Sequence, residues 1–415
     1  MKLQSTDNTH GQILFELLQA GLAAVDGRRC VQDYFARHPL PTPQAALIAV
    51  GKAASDMAMG CLDYLGEGCH SGLVITKTGY LTPQLRTVEK LQCIESAHPV
   101  PDASSLYAGQ VLLDFLDKLP EAVPLVMMIS GGTSALVEVL PEGLNITDLQ
   151  RVNQWLLASG LPIDQMNLIR QSVSLIKGGR LIAHLRQRPV CQLLLSDVPG
   201  DEPATIGSGL LVVTANNKIV SATIPDWLQA MQAQAAAVGE ADVQGSNIET
   251  ALVGTNRRAC EAIQTRAIAL GLNPVIQPES LHGEAVKMAE KIVATLEQAP
   301  PGVHIWGGET TVVLPDNPGR GGRNQQLALA LALLIRDRPE YRILVAATDG
   351  SDGPTEDAGA LVDGGSIARG EAEGLSAGEC LAQADAGRFL AAAGDLVSTG
   401  PTGTNVMDLV IVIKL

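Results

Sequence analysis

The sequence predicts an α/β protein of two doubly wound domains with largely parallel sheets. Three observations predict it. Eight short apolar runs, at 45–51, 72–76, 124–130, 192–196, 251–254, 303–307, 343–348 and 409–413, alternate with helical stretches. The runs are nearly continuous rather than alternating, as strands buried on both faces are. The chain has 415 residues, long for one domain and comfortable for two. Signals weaken over 216–225 and 237–245, so the boundary is expected at 235/236, giving domains 1–235 and 236–415, with a hinge near 216–245.

Several runs are followed by turns, and in open α/β sheets the turns at strand C-termini form the ligand crevice. Run 45–51 ends at Gly51-Lys52 before a helical stretch. A lysine there opposes the positive end of the helix dipole, at a cost of about 0.3–1 kcal/mol, which a bound anion would reverse. Run 124–130 leads into Ser130-Gly131-Gly132-Thr133-Ser134. Two glycines let backbone amides approach a phosphate, and the hydroxyls can add donors; the alternative is a tight turn with a Ser/Thr cap. Run 192–196 is followed by Asp197 and Asp201, and run 343–348 by Asp349 and Asp352. Such oxygens can hold Mg²⁺ or accept a hydroxyl proton, although aspartate is also ordinary in Gly/Pro-rich turns. The segment 318–326 (PGRGGRNQQ) sets Arg320 and Arg323 in a glycine-rich loop opening into the apolar helix LALALALLI. The planar arginine fork suits a carboxylate or phosphate. Lys177-Gly178-Gly179-Arg180 reads as a helix C-cap, and His98 as a turn residue that becomes a ligand if the crevice reaches it.

Composition limits the rest. Hydrophobic residues make up 46% and charged residues 18%, a globular balance. The net charge of −15 repels nucleic acid and anionic lipid. The longest apolar run, 327–335, is too short to span a bilayer, and no signal-peptide pattern frames 13–25, so a cytoplasmic enzyme is expected. Seven scattered cysteines form no C-x-x-C pair and read as buried hydrophobes. No strict G-x-G-x-x-G follows a strand, and neither the P-loop pattern nor H-E-x-x-H is present. Phosphate-type loops, cations and carboxylates at strand ends are the parts of a phosphotransferase acting on a small anion.

Ten stretches in order resemble the class II glycerate kinases, or glycerate 2-kinases, whose C-terminal module is called MOFRL. They are VGKAASDM (50–57), VITKTGY (74–80), ESAHPVPD (95–102), SGGTSAL (130–136), IKGGRL (176–181), LSDVPGD (195–201), GGETTV (307–312), GRGGRNQQLALA (319–330), TDGSDGPTEDAGA (348–360) and STGPTGTNVMDL (398–409). The resemblance implies a Rossmann-like N-terminal domain, a MOFRL-type C-terminal domain and an interdomain cleft holding the site. It implies ATP with a divalent metal, D-glycerate as acceptor and 2-phosphoglycerate as product. It points to Lys52 and Arg323 as site residues and to Ser130–Thr133 as a phosphate loop. The expected roles are then Lys52, Arg323 and Asp197 in catalysis, Ser130, Gly131, Gly132 and Thr133 on the nucleotide, and Asp349 and Asp352 on Mg²⁺, with the division of base and metal roles among the three aspartates left open by the sequence. Arg323 is the expected clamp on the glycerate carboxylate, and replacing Lys52 or Arg323 should leave the fold as stable or slightly more so. Where the family continues I-A-S-G-P-T, this chain has Ile206-Gly207-Ser208-Gly209-Leu210-Leu211. The competing readings are an NAD(P)H-dependent hydroxypyruvate reductase and a non-catalytic sugar-acid binding protein. Homo-oligomerisation is left open.

Overall fold

The computed structural model describes residues 2–3, 9–159, 161, 163–213, 224–238 and 247–415. Its strands are β1 (Lys2–Leu3), β2 (Ala45–Val50), β3 (Cys69–Lys77), β4 (Leu91–Ser96), β5 (Leu125–Ile129), β6 (Val190–Leu195), β7 (Ile248–Gly254), β8 (Pro274–Ile276), β9 (Gly302–Gly308), β10 (Tyr341–Ala347), β11 (Gly359–Asp363), β12 (Leu396–Ser398) and β13 (Asp408–Lys414). They form two sheets, one in each of two compact units. One unit is residues 27–254; the other joins residues 1–26 to 255–415. The division expected at 235/236 therefore falls at Gly254/Thr255. The N-terminal helix Thr9–Ala24 belongs with the C-terminal part because it packs on helix Asn256–Ala269 and on β10 and β13. Half of the expected hinge segment, 216–223 and 239–245, lies outside the described residues.

The unit 27–254 carries a six-stranded sheet in the order β4-β3-β2-β5-β6-β7, and every pairing is parallel. Strands β2, β5 and β6 are buried along their whole length, which is why they read as unbroken apolar runs. Alternate residues serve opposite faces. Ala46, Ile48 and Val50 share a core with Ala108, Leu112 and Leu116 of helix Ala103–Lys118. The intervening Leu47 and Ala49 are equally buried, and helix Ala54–Leu65 also packs on β2. That helix lies so close to helix Gly27–Arg37 that a Cβ on Gly60 would stand 2.4 Å from the Arg28 carbonyl oxygen. The chain runs outward from β2 through β3 to β4, then returns to place β5 on the other side of β2. The strand order thus reverses between β2 and β5, a switch point at which α/β sheets bind ligands.

The second unit has the order β1-β12-β11-β10-β13-β9-β8. Here the expectation of a largely parallel sheet is corrected: all pairings are antiparallel except β8 with β9. Helices cover both faces, so its central strands are as apolar as parallel ones. Burial on both faces, rather than strand direction, produces a continuous run. Helix Arg323–Leu334 is buried at every position from Asn324 to Ala332 and packs against helix Ala285–Gln298 and β10 and β11. Its all-round apolar character is that of a core helix.

Candidate active site

The expected site residues fall into two sets, one in each unit. In the unit 27–254, Lys52, the Ser130–Thr133 loop and Asp197 follow the C-terminal ends of β2, β5 and β6, three adjacent strands. Lys52 precedes helix Ala54–Leu65 rather than lying in its first turn. Its backbone amide donates to the Gly131 carbonyl at 2.9 Å, joining the two turns that flank the switch point. The hydroxyls expected to help hold phosphate are engaged within the turn. Ser130 Oγ accepts the Ala53 amide at 3.1 Å. Thr133 Oγ1 donates to the carbonyls of Val50 (3.0 Å) and Ser130 (2.7 Å). Both side chains are fully buried. What the loop offers a ligand is backbone, at Gly131 and Gly132. Gly132 has φ of 87°. A Cβ there would lie 3.0 Å from His98 Cδ2 and 3.3 Å from Lys52 Cγ, so the position suits glycine twice over.

Gly132, His98 and Asp197 line a cavity of about 430 Å³. The crevice does reach His98. Its far wall comes from helices Ile146–Ala158 and Ile163–Val173 through Asn153, Asn167 and Arg170, none of which the sequence singled out. They escaped notice because the two helices carry no glycine-rich turn or strand end. Lys177 also lines it, but helix Ile163–Val173 ends four residues earlier, so Lys177 is no C-cap. Its ammonium is buried against Glu138 at 2.6 Å and donates to the Ser134 carbonyl at 2.8 Å. Glu138 also accepts from Ser174 Oγ at 2.5 Å, so this buried pair is closed on itself. Arg180 takes the capping role, donating to the carbonyls of Gln171 (2.7 Å) and Ser174. The departure at Leu210-Leu211 is also explained: both side chains are buried in the core beneath this edge, with Leu136 and Leu181.

The second set is built around Arg323, at the start of helix Arg323–Leu334. Its fork grips Asp408 at 2.6 and 2.9 Å, and Nη1 reaches Glu309 at 3.1 Å. Asp408, the first residue of β13, is 1% exposed. Arg323 therefore carries its own counter-charges. Burial alone would lower its pKa, but Asp408 and Glu309 more than offset this and hold it above the ordinary value. Asp352 is wholly buried and caps the same helix, its two oxygens accepting the amides of Asn324 (3.1 Å) and Gln325 (2.8 Å). Burial pushes its pKa up to about 7 against the lowering effect of those amides. Asp349 Oδ1 accepts the Ser351 amide at 3.0 Å. Among the described residues no group of three or more His, Cys, Asp or Glu side chains is disposed to hold a metal. An enclosed carboxylate already bonded to two amides is a poor Mg²⁺ ligand, so Asp352 does not fit the expected metal role. Among the described residues no helix is long and apolar enough to cross a membrane.

An all-parallel sheet with a glycine turn at its switch point is a frame for phosphorylated ligands, and known proteins with this frame supply its class. Residues 13–241 match the family described as a domain of unknown function, DUF4147, and residues 302–408 match the MOFRL family. A D-glycerate 2-kinase of Thermotoga maritima is 32% identical, with 96% of this chain and 97% of that protein covered. The crystal structure of a glycerate kinase from the same organism superposes with a TM-score of 0.83 at 30% identity, covering 97% of this chain and 99% of that one. A relative from Agrobacterium vitis, 34% identical over 96% of this chain and 93% of its own length, carries a provisional hydroxypyruvate reductase name. The chain belongs to the glycerate 2-kinase family, composed of a DUF4147 region and a MOFRL region.

Proposed function

We propose that this protein transfers the γ-phosphoryl group of ATP to the 2-hydroxyl of D-glycerate, giving 2-phosphoglycerate and ADP. The observation that carries the reading is the meeting of Lys52 with the Gly131-Gly132 turn at the sheet's switch point, beside a cavity large enough for small ligands. The backbone amides of Gly131 and Gly132 cradle phosphate, and Lys52 stabilises the charge that develops on it. Asp197, on the same cavity, takes the proton of the attacking hydroxyl. Arg323 is a positioning residue that holds Asp408 and Glu309. Mg²⁺ would be carried mainly by the nucleotide's phosphates, which is how this ion is commonly bound, with Asp349 the remaining candidate carboxylate. A cytoplasmic location is supported by seven cysteines that are all free thiols.

The provisional name of the Agrobacterium relative favours a second reading, reduction of hydroxypyruvate. The lack of a dinucleotide fingerprint after any strand weighs against it. One experiment separates the two. ADP release is followed with a panel of small hydroxy acids, and NADH and NADPH oxidation with hydroxypyruvate. Glycerate-dependent ADP release without nicotinamide turnover is expected; robust nicotinamide turnover would overturn the kinase reading.

A further inference from the structure

Arg170 stands in the last turn of helix Ile163–Val173, half-buried on the cavity that Gly132 and Asp197 also line. Its one hydrogen bond among the described residues is from Nη1 to Asn167 Oδ1, at 2.9 Å. No carboxylate stands within ion-pair distance of it among them. Burial depresses its pKa, and no neighbouring charge acts to restore it. A guanidinium has five donors in a fixed fork, and here a neutral amide takes one of them.

The neighbouring basic side chains are accounted for differently. Lys177 is neutralised by Glu138, Arg180 caps backbone carbonyls, and Arg151 lies over the Trp227 ring at 4.0 Å. Glu138, an acid in the cavity wall, is committed to Lys177 and Ser174. The C-terminal end of the helix favours a cation by only about 0.3–1 kcal/mol, and an exposed arginine would obtain as much. Among the described residues this guanidinium has no counter-charge, and holding it partly out of water is unfavourable unless an anion joins it.

Arg170 differs from Arg323 in this respect. Arg323 has its fork closed on Asp408 and a third contact on Glu309. Two carboxylates around one guanidinium repel a further anion. Among the described residues Arg170 keeps donors open on the cavity that Gly132 also lines.

We infer that Arg170, rather than Arg323, binds the carboxylate of the hydroxy-acid substrate and sets the requirement for an acid. The inference rests on the phosphotransfer reading above. The amides of Gly131 and Gly132 and the ammonium of Lys52 serve the phosphate, which leaves the acceptor's own charge to be matched. Arginine's planar fork fits a carboxylate bidentately and so fixes its direction as well as its position. Clamping the acid restricts which hydroxyl can meet the phosphate turn, because C2 bears the carboxylate directly. Asn153 and Asn167, on the same wall, supply neutral partners for the hydroxyls.

The test is steady-state kinetics of Arg170→Ala and Arg170→Lys, with circular dichroism and melting to check folding. Loss of a charge-assisted pair should raise KM for D-glycerate about 10- to 100-fold and leave KM for ATP near its original value. Arg170→Lys should fall between, since it keeps the charge and loses the fork. A rise confined to KM for ATP, or no rise in either, overturns the inference. Calorimetric titration of wild type and Arg170→Ala with D-glycerate, and separately with inorganic phosphate, decides the matter even if the wild type phosphorylates no hydroxy acid. D-glycerate binding lost in the variant while phosphate binding persists supports a carboxylate site. Loss of phosphate binding alone, or unchanged binding of D-glycerate, contradicts it. If Arg170→Ala does not fold, the same titrations on Arg170→Lys carry the comparison.

Discussion

At the residue scale, Lys52 and Arg323 part company. Both stand at helix starts, and the dipole argument alone treats them alike. Lys52 lies in a turn beside Gly132 with its side chain partly exposed. Lys52→Ala is expected to lower kcat about 10²–10³-fold, the scale of losing a charge-stabilising donor, with a melting temperature near that of wild type. Arg323→Ala has a different expected outcome. It leaves Asp408, 1% exposed, as a buried carboxylate without its partner. Breaking a buried pair from one side costs about 3–5 kcal/mol, and partial exposure of Arg323 places the effect toward the lower end. Activity and melting temperature should therefore fall together, against the sequence-based expectation of equal or higher stability. Thermal melts of both variants, run beside the kinetics, check this. An Arg323→Ala protein as stable as wild type would mean that the Asp408 contact contributes little. The dipole conflict was legible in the sequence, but its resolution was not. Asp408 lies 85 residues along the chain from Arg323, and nothing local ties the two.

At the element scale, the start of helix Arg323–Leu334 depends on one buried carboxylate. Asp352 accepts two of its first amides from a position with no contact with water. Its pKa rises from 3.8 in the unfolded chain to about 7 in the fold. Between those values the native state holds a proton that the unfolded state has lost. Stability attributable to Asp352 must then decline as pH rises from about 4 to 7 and level off above 7. Asp352→Asn has no such titration. The difference in melting temperature, wild type minus variant, measured in metal-free buffer, should fall across that window; a flat difference would contradict the burial argument. The sequence offered Asp352 as a metal ligand because aspartates in Gly/Pro turns look alike whether they face solvent or a helix end. In the turn after β5 the glycines lie at the close approach, and the hydroxyls of Ser130 and Thr133 are bonded within the turn itself. Leu210 and Leu211 form a similar case. The sequence marks only a departure from the family pattern there, and the fold makes it a hydrophobic anchor. Leu210→Ala should lower stability by about 2–5 kcal/mol in denaturant unfolding, as truncation in a packed core does; a change under about 1 kcal/mol would mean the loop is not anchored there.

At the scale of the whole molecule, the α/β class and the parallel sheet of residues 27–254 were legible because strands buried on both faces leave unbroken apolar runs. Strand β4 was not, since it stands at a sheet edge and its half-exposed residues break the run. The antiparallel pairings of the second sheet were not either, because hydrophobicity records burial and carries no direction. Helix Thr9–Ala24 is apolar enough to be recognised as a helix, but its pattern does not say that its partners lie beyond residue 254. A chain with net charge −15 that handles anions must concentrate a few cations at one edge. Lys52 and Arg170, both at the carboxyl edge of the parallel sheet's unit, meet that requirement. On the proposed reading these groups orient glycerate so that its secondary hydroxyl, beside the carboxylate, receives the phosphoryl group. The most direct measurement couples the reaction of ATP and D-glycerate to enolase with no mutase present. Enolase accepts the 2-phosphate as it stands, so an immediate phosphoenolpyruvate signal is predicted. A signal that appears only after mutase is added would identify the 3-phosphate and contradict the account.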